Sequence, residues 1–343
     1  MTAADTQAVR APRRADTSAL GYLTRRLGQG VLVLWGAFTV SFIITYLLPG
    51  DAISILVAGG PGGDAGNVSE EDIAALRAEY NLDKPVLVQY ALALWGAVRL
   101  DFGTSIMTGQ DVVGMLAAAL PQTLQLSLLA LALSLVIGTV VALSAVYARS
   151  PWLATVLAGL PALGVAVPTF WIGLLLLQTF SFGLGWLPAM GNGGLETLIL
   201  PALTLAVPNS ALIAQVLLRS LEDIWRQPFV LALQGKGLTR LGLLLRHGLR
   251  NAVIPALSLA GVVAGNFLSG TVVVETVFTR EGIGRLAQMG VQNQDLPLVQ
   301  VIVVFAAAVF VLTSLAVDLL YPVIDPRMRR ARSRAPRPAE EAA

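Results

Sequence analysis

Charge is distributed along this chain in blocks, and that constrains its fold more than any motif. No Asp, Glu, Lys or Arg occurs between Arg26 and Asp51, between Asp111 and Arg149, between Arg149 and Glu196, between Glu196 and Arg219, between Arg250 and Glu275, or between Asp295 and Asp318. A run of about 20 apolar residues suffices to cross the hydrocarbon core of a bilayer as a helix. Backbone amides at that depth must pair within the protein, so the spans are helical. With 55% hydrophobic and only 13% charged residues in a chain of 343, the class is an all-α polytopic membrane protein.

Residues 1–26 are polar and hold five arginines, a tail ending in the basic anchor Arg25-Arg26. The first span follows from Leu27 to Gly50. A secretory signal peptide would carry a shorter apolar region and a small-residue cleavage site, so a retained span is the expectation. Asp51 to Asp111 holds nine acidic residues against Arg77, Lys84 and Arg99, which reads as an external loop. Within it, GGPGGDAGN (59–67) is a flexible connection, and Ser69 with Asp72 forms a capping box opening a helix from Glu70 to about Tyr80. The second span lies within Pro121 to Tyr147. The stretch from Ser150 to Leu195 allows one span plus an irregular loop or two short helices. One long, proline-interrupted third span from about Trp152 to Phe182 fits the charges better, because two spans would put the basic segment 219–250 outside. The fourth span is expected over Leu198–Leu218, the fifth over Ala252–Val274 and the sixth over Leu296–Val317.

This six-helix arrangement puts both termini on the cytoplasmic side. Eighteen of the 23 Lys and Arg residues then fall inside and five outside, as the positive-inside bias requires. Three regions result: a tail over 1–26, a transmembrane domain over 27–321 with an external loop at about 51–111 and a cytoplasmic loop at about 219–250, and a tail over 322–343. The arginines from Arg327 to Arg337 fix topology and attract anionic lipid.

Several function classes drop out. Cysteine is absent and His247 is the sole histidine, so thiolate metal sites, Cys nucleophiles and His-cluster metal centres are excluded. No GxSxG hydrolase motif and no GxxxxGK[ST] phosphate loop occurs. No cofactor or nucleic-acid partner is indicated. No ionisable residue falls mid-span, which disfavours an ion-coupled carrier. Pro161, Pro168, Pro201, Pro208 and Pro255 suit a translocation pathway but are frequent in membrane helices of any function. Gly261 and Gly265 form a GxxxG pattern for a close helix contact, within the chain or between subunits.

The basic segment Arg219 to Pro255 interrupts the apolar second half. As a plain loop it would only set topology. Its text is more specific: PFVLALQGKGLTRLGLLLRHGLRNAVIP reads as a short helix, a break in which Gly235 and Gly237 bracket Lys236, and a second amphipathic helix. Lys236-Gly237-Leu238, Arg246-His247, Arg250-Asn251-Ala252 and Pro255 resemble the coupling loop of ABC-importer permeases in the oligopeptide, dipeptide and nickel branch, usually close to YVRTARAKGL, a spacer, then RHALRNALLP. Similarity to that branch continues in PGD (49–51), YNLDKPVLVQY (80–90) and LDFGTS (100–105), where the usual form is GDLGxS. It continues further in GTVVVETVFTREGIGRL (270–286), usually GAVVVETVFSWPGLGRL, in Gln294 to Gln300, usually RDYPVVQ, and in DLLY (318–321) and DPR (325–327). It covers roughly residues 22–330. Ala-Leu-Gln-Gly at 232–235 departs from the usual Thr-Ala-Arg-Ala, and Glu281 stands where proline is usual.

The resemblance implies the type I ABC-importer transmembrane fold and a permease that is not itself an enzyme. Its implied partners are a paralogous permease, two cytoplasmic ATP-binding subunits and an external solute-binding protein, in a bacterial inner membrane. Residues 228–238 would be the coupling helix, with Ala232, Leu233, Gly235, Lys236, Gly237 and Leu238 at the ATPase contact. Leu233 and Leu238 would fill apolar sockets, Lys236 would make a rim contact and Gly237 would allow the turn. The cargo would be a peptide or related small solute; nickel or a metal chelate is the alternative, and a non-transporting membrane scaffold is the contrasting class. His247, Glu275 and Asp318 read as structural hydrogen-bonding or pairing residues.

Overall fold

A computed structural model describes residues 19–48, 52–57 and 69–324. Among the described residues the regular structure is helical, apart from one isolated antiparallel bridge between Thr104 and Asp111. In order the helices are α1 (Ala19–Leu47), α2 (Ala52–Val57), α3 (Glu70–Glu79), α4 (Val86–Val98), α5 (Val112–Tyr147), α6 (Pro151–Ala166), α7 (Thr169–Leu176), α8 (Glu196–Trp225), α9 (Pro228–Gly235), α10 (Arg240–Leu243), α11 (Leu249–Val277), α12 (Ile283–Gln292) and α13 (Leu296–Ile324). Thr24–Leu47, Val112–Tyr147, Glu196–Trp225 and Leu296–Leu315 are each long and apolar enough to cross a membrane. At 29 residues, α11 covers the stretch expected for the fifth span. The protein is an all-α polytopic membrane protein.

The centre of the fold is the pair α5 and α8, onto which α6, α7 and α11 pack. Along α5 the buried positions Leu126, Ala130, Ser134, Gly138, Ala142 and Ala145 recur every three or four residues, one stripe of mostly small side chains. In lipid, where apolar surface gains little by leaving its solvent, helices associate by close van der Waals contact over such stripes. Gly138 shows how close: a Cβ there would stand 2.7 Å from the Ser210 carbonyl oxygen and 3.1 Å from Ile213 of α8. Ser134 Oγ donates to Ala130 O of its own helix at 2.6 Å and stands 3.3 Å from Ala206 O across the same seam. Outward-facing side chains such as Leu128, Val136 and Val140 are exposed and apolar, as a lipid-facing surface requires. Gly265, of the GxxxG pattern, lies against Thr313 of α13, a contact within the chain.

The proline-interrupted third span expected over Trp152–Phe182 is broken in two. The chain bends by 103° between Pro151–Ala166 and Thr169–Gly183. Val167 is extended (φ −85°, ψ 129°), the conformation that the following proline imposes, and Pro168 then caps α7. Gly173 of α7 packs 3.2 Å from Thr204 and 3.4 Å from Phe278, measured from an added Cβ, so the second arm is drawn onto α8 and α11.

The acidic stretch before α5 is more structured than a solvated loop. Ser69 caps α3: its Oγ accepts from Asp72 N at 3.1 Å and donates to the Asp72 carboxylate at 2.7 Å. Ser69 thus serves as the expected N-cap, and the Asp72 carboxylate meets its hydroxyl. Thirteen-residue α4 lies against α1, with Tyr90 packed on Phe38 and Phe42 and its hydroxyl 2.8 Å from Thr39 Oγ1. The expected glycine-rich connection 59–67 and most of both tails fall outside the described residues.

Candidate functional site

Two polar regions sit at opposite ends of α5. At its C-terminal end lies the basic segment. Arg219, Arg226, Lys236, Arg246 and Arg250 are exposed there, whereas Arg240 turns inward and is half-buried.

The chain leaves α8 at Trp225, extends through Gln227 (φ −73°, ψ 142°) and starts α9 with Pro228 in its first turn. Proline suits that position because its missing N–H has no helical acceptor there. The end of α9 is closed by two bonds that terminate helices on a left-handed residue. Leu238 N donates to Leu233 O at 3.2 Å, and Gly237 N donates to Gln234 O at 2.9 Å. Gly237 has φ +84° and performs this turn alone. Gly235 is the last residue of the helix, which corrects the expectation of a paired-glycine break: one left-handed residue suffices for a closure of this type.

After the turn, the Thr239 side chain accepts from Gly242 N at 3.2 Å and caps α10. The chain then runs through a π turn, Leu244–Gly248, straight into α11. The expected second amphipathic helix is thus the start of a membrane helix. His247 is half-buried in the π turn, and its carbonyl accepts from Asn251 Nδ2 at 2.9 Å.

Arg240 ties this segment to the core. Its Nη2 donates to Val146 O at 2.8 Å in the last turn of α5, and its guanidinium lies 5.4 Å from the ring centre of Trp225 at the end of α8. A cation suits the carbonyl-rich end of a helix, and guanidinium favours an aromatic face.

Ala232, Gly235, Lys236 and Gly237 are exposed, and Leu233 and Leu238 are half-buried beside the helix closure. The structure thus brings all six residues singled out from the sequence into one surface turn. It adds two that sequence reasoning missed, Leu231 (72% exposed) and Phe229 (38%). Their neighbour Val230 is buried. Because Pro228–Ala232 is apolar throughout, no contrast in the sequence marks which side chains face out.

At the N-terminal end of α5, buried polar groups fasten the loops. The Glu275 carboxylate accepts from Thr123 Oγ1 at 2.7 Å, Gly284 N at 2.7 Å and Arg285 N at 3.2 Å, while Thr123 Oγ1 also accepts from Ile283 N at 2.8 Å. A Cβ on Gly282 would collide with that carboxylate. Arg280, 1% exposed, donates to Gln122 Oε1 at 2.7 Å and Gly191 O at 3.2 Å. Burial pulls its guanidinium below the ordinary value, and the nearby Glu275 carboxylate opposes that shift. Asp295 accepts from Ser105 Oγ and from the amides of Ile106 (3.3 Å) and Leu298 (3.4 Å), anchoring the 101–111 loop to the start of α13. Glu275 is therefore structural. The Asp318 side chain lies outside the described residues.

Comparison with known proteins agrees with this architecture. The family model for the binding-protein-dependent transport system inner membrane component matches residues 134–330. A Brucella abortus protein carrying the name of a peptide transport system permease is 33% identical over 315 residues, covering 90% of this chain and 98% of the relative. A peptide ABC transporter permease of Sinorhizobium fredii is 33% identical over 316 residues, covering 90% and 99%. The glutathione transport system permease of Salmonella typhi is 33% identical over 310 residues, with the same coverage. With α9 displayed beyond a core of apolar helices, and with this likeness along most of its length, the chain belongs to the family of binding-protein-dependent transport system inner membrane components, the permeases of ABC importers.

Proposed function

We propose that this chain is one of two permease subunits of an ATP-driven importer of peptides in a bacterial cytoplasmic membrane. Its partners are a related, non-identical permease, two ATP-binding subunits that perform the hydrolysis, and an external solute-binding protein. Both termini and α9 face the cytoplasm, a sidedness supported by the placement of 18 of 23 Lys and Arg residues. The cargo class is supported by the names of the relatives, which specify peptides and glutathione; none of those reported specifies nickel.

The observation that carries the reading is the Arg240 clamp. Phe229, Leu231 and Ala232, with Lys236 at the rim, present an exposed face to an ATP-binding subunit. Closure of the ATPase pair displaces α9, and Arg240 passes that displacement to the ends of α5 and α8. Those two helices are packed through small residues without slack, so they move as one body, and the pathway alternates between its two orientations.

The test is to purify the tagged chain from its native membrane in mild detergent, identify its companions, and measure uptake of labelled trialanine by cells with and without the chain. Recovery of a second permease and ATP-binding subunits, together with loss of uptake on deletion, is expected. Recovery of the chain alone from a preparation that keeps other importers whole, with uptake unchanged, would overturn the reading.

A further inference from the structure

Away from α5 and α8, a groove of about 730 Å³ opens between the first half of α1 and the second half of α13. Glycine shapes it. Gly30 lets the two helices touch, since a Cβ there would stand 2.9 Å from Val311 Cγ1, whereas a Cβ on Gly28 would meet nothing within 4 Å. Gly28 thus leaves open space beside a tight contact.

The walls change character in a fixed order along α1. Arg25 and Arg26 stand at one end, and Gln29 follows on the same helix face as Arg25, four residues on. From Gly30 to Leu34 the α1 wall is apolar, and across it α13 supplies Phe310, Val311 and the hydroxyl of Ser314. Arg25 is exposed, and no acidic side chain is among the described walls. From Arg25 to Leu34 the helix rises roughly 14 Å, close to half of the ~30 Å hydrocarbon core.

Cation, hydrogen-bond donor and apolar wall are the order of phosphate, ester and acyl chain in a phospholipid, over the depth of one leaflet. A guanidinium matches phosphate, and basic pockets between membrane helices take acidic headgroups. A protein helix has no inherent gradient of this kind.

We propose that this groove holds one anionic phospholipid: its phosphate on Arg25, its ester oxygens beside Gln29 and Ser314, and an acyl chain passing Gly28 to lie along residues 31–34. The site lies apart from the coupling turn and does not rest on the importer reading.

The test uses the full chain in nanodiscs containing equal parts of phosphatidylglycerol, phosphatidylcholine and phosphatidylethanolamine, with the lipid retained on release read by native mass spectrometry. Wild type retains one phosphatidylglycerol at least five-fold over either other lipid. Arg25→Gln lowers that retention at least five-fold, while Arg149→Gln, an exposed charge outside the groove, leaves it unchanged. Gly28→Leu fills the groove and lowers retention equally with no fall in the unfolding midpoint, because nothing stands near the added Cβ. Equal retention of the three lipids, an equal loss in the Arg149 variant, unchanged retention in the Gly28 variant, or recovery of a lipid-free dimer of the chain would overturn the proposal.

Discussion

Arg240 Nη2 donates to the carbonyl oxygen of Val146 at 2.8 Å, joining the exposed turn after α9 to the last turn of α5. A hydrogen bond made by a charged donor contributes about 1.5–3 kcal/mol, enough to decide whether two elements move together. Arg240→Ala is expected to leave ATP-binding subunits attached, because α9 itself is untouched, while lowering uptake about ten-fold or more at nearly unchanged ATP hydrolysis. Arg240→Lys restores part of the coupling, since an ammonium reaches the carbonyl but lacks the planar face that lies over Trp225. Uptake and ATPase activity of the reconstituted transporter, measured in parallel, distinguish this uncoupling from loss of assembly.

Gly237 makes a different prediction. At φ +84° a β-branched residue is strongly disfavoured, and the closure of α9 depends on that conformation. Gly237→Val should insert into the membrane normally, since the turn is exposed and an added Cβ meets nothing within 4 Å. Recovery of ATP-binding subunits in a pull-down should nevertheless fall by about ten-fold, a change of ~1.4 kcal/mol in binding. Normal recovery would mean that the shape of the turn is not what the partner reads.

Leu231 tests the docking face directly. It is 72% exposed, so Leu231→Asp should change the stability of the isolated chain by no more than about 0.5 kcal/mol. If Leu231 inserts in a partner's apolar socket, the same change costs more than ~2 kcal/mol of affinity, and the ATP-binding subunits are lost from the purified complex. A stable complex with this variant would move the contact to Lys236 and the residues after it.

The long apolar helices were legible in the sequence because charge is excluded from bilayer depth, so Asp111 and Arg149 bracket α5 and Asp295 stands just before α13. The α4 helix was not, because VLVQYALALWGAV lies inside a segment whose acidic residues dominate its reading. The sharp bend at Val167–Pro168 was hidden for another reason. Proline removes one N–H, and whether the helix then kinks or breaks is decided by packing such as that of Gly173 on Thr204. Nor can a sequence tell which of Gly235 and Gly237 takes the left-handed conformation. The Glu275 network joins α11 to Thr123, 152 positions away, a distance no local pattern spans.

That network predicts a large effect on stability. Glu275 is fully buried and receives three donors, with Arg280 buried nearby. Glu275→Ala would leave those donors and a buried cation uncompensated, a loss of about 3–5 kcal/mol. Glu275→Gln keeps the volume but turns an amide NH₂ toward one of the donors, and should cost about 1–3 kcal/mol. Thermal unfolding of the detergent-purified chain should rank wild type above Gln above Ala; equal midpoints for wild type and Ala would remove the network's structural role.

Five helices close in one way, and their differences lead to a stabilising substitution. The ends of α3, α4, α9, α11 and α12 each place one residue at positive φ: Asn81, Leu100, Gly237, Thr279 and Gln294. The bonds are the same pair in each, as where Asp101 N donates to Gly96 O at 3.0 Å and Leu100 N to Ala97 O at 3.1 Å. Only α9 uses glycine. A left-handed conformation costs an ordinary L-residue about 1–2 kcal/mol, and Leu100, at φ 62° and 77% exposed, gains little burial in return. The segment LDFGTS also begins with Leu100 where the resembling pattern GDLGxS begins with glycine. Leu100→Gly therefore relieves strain in the folded chain, offset in part by the added freedom of glycine in the unfolded one. The expected outcome is a net stabilisation of about 0.5–1 kcal/mol with uptake unchanged, read as a raised unfolding midpoint in detergent. A lowered midpoint would show that the leucine side chain, and not the backbone turn, is what holds this loop in place.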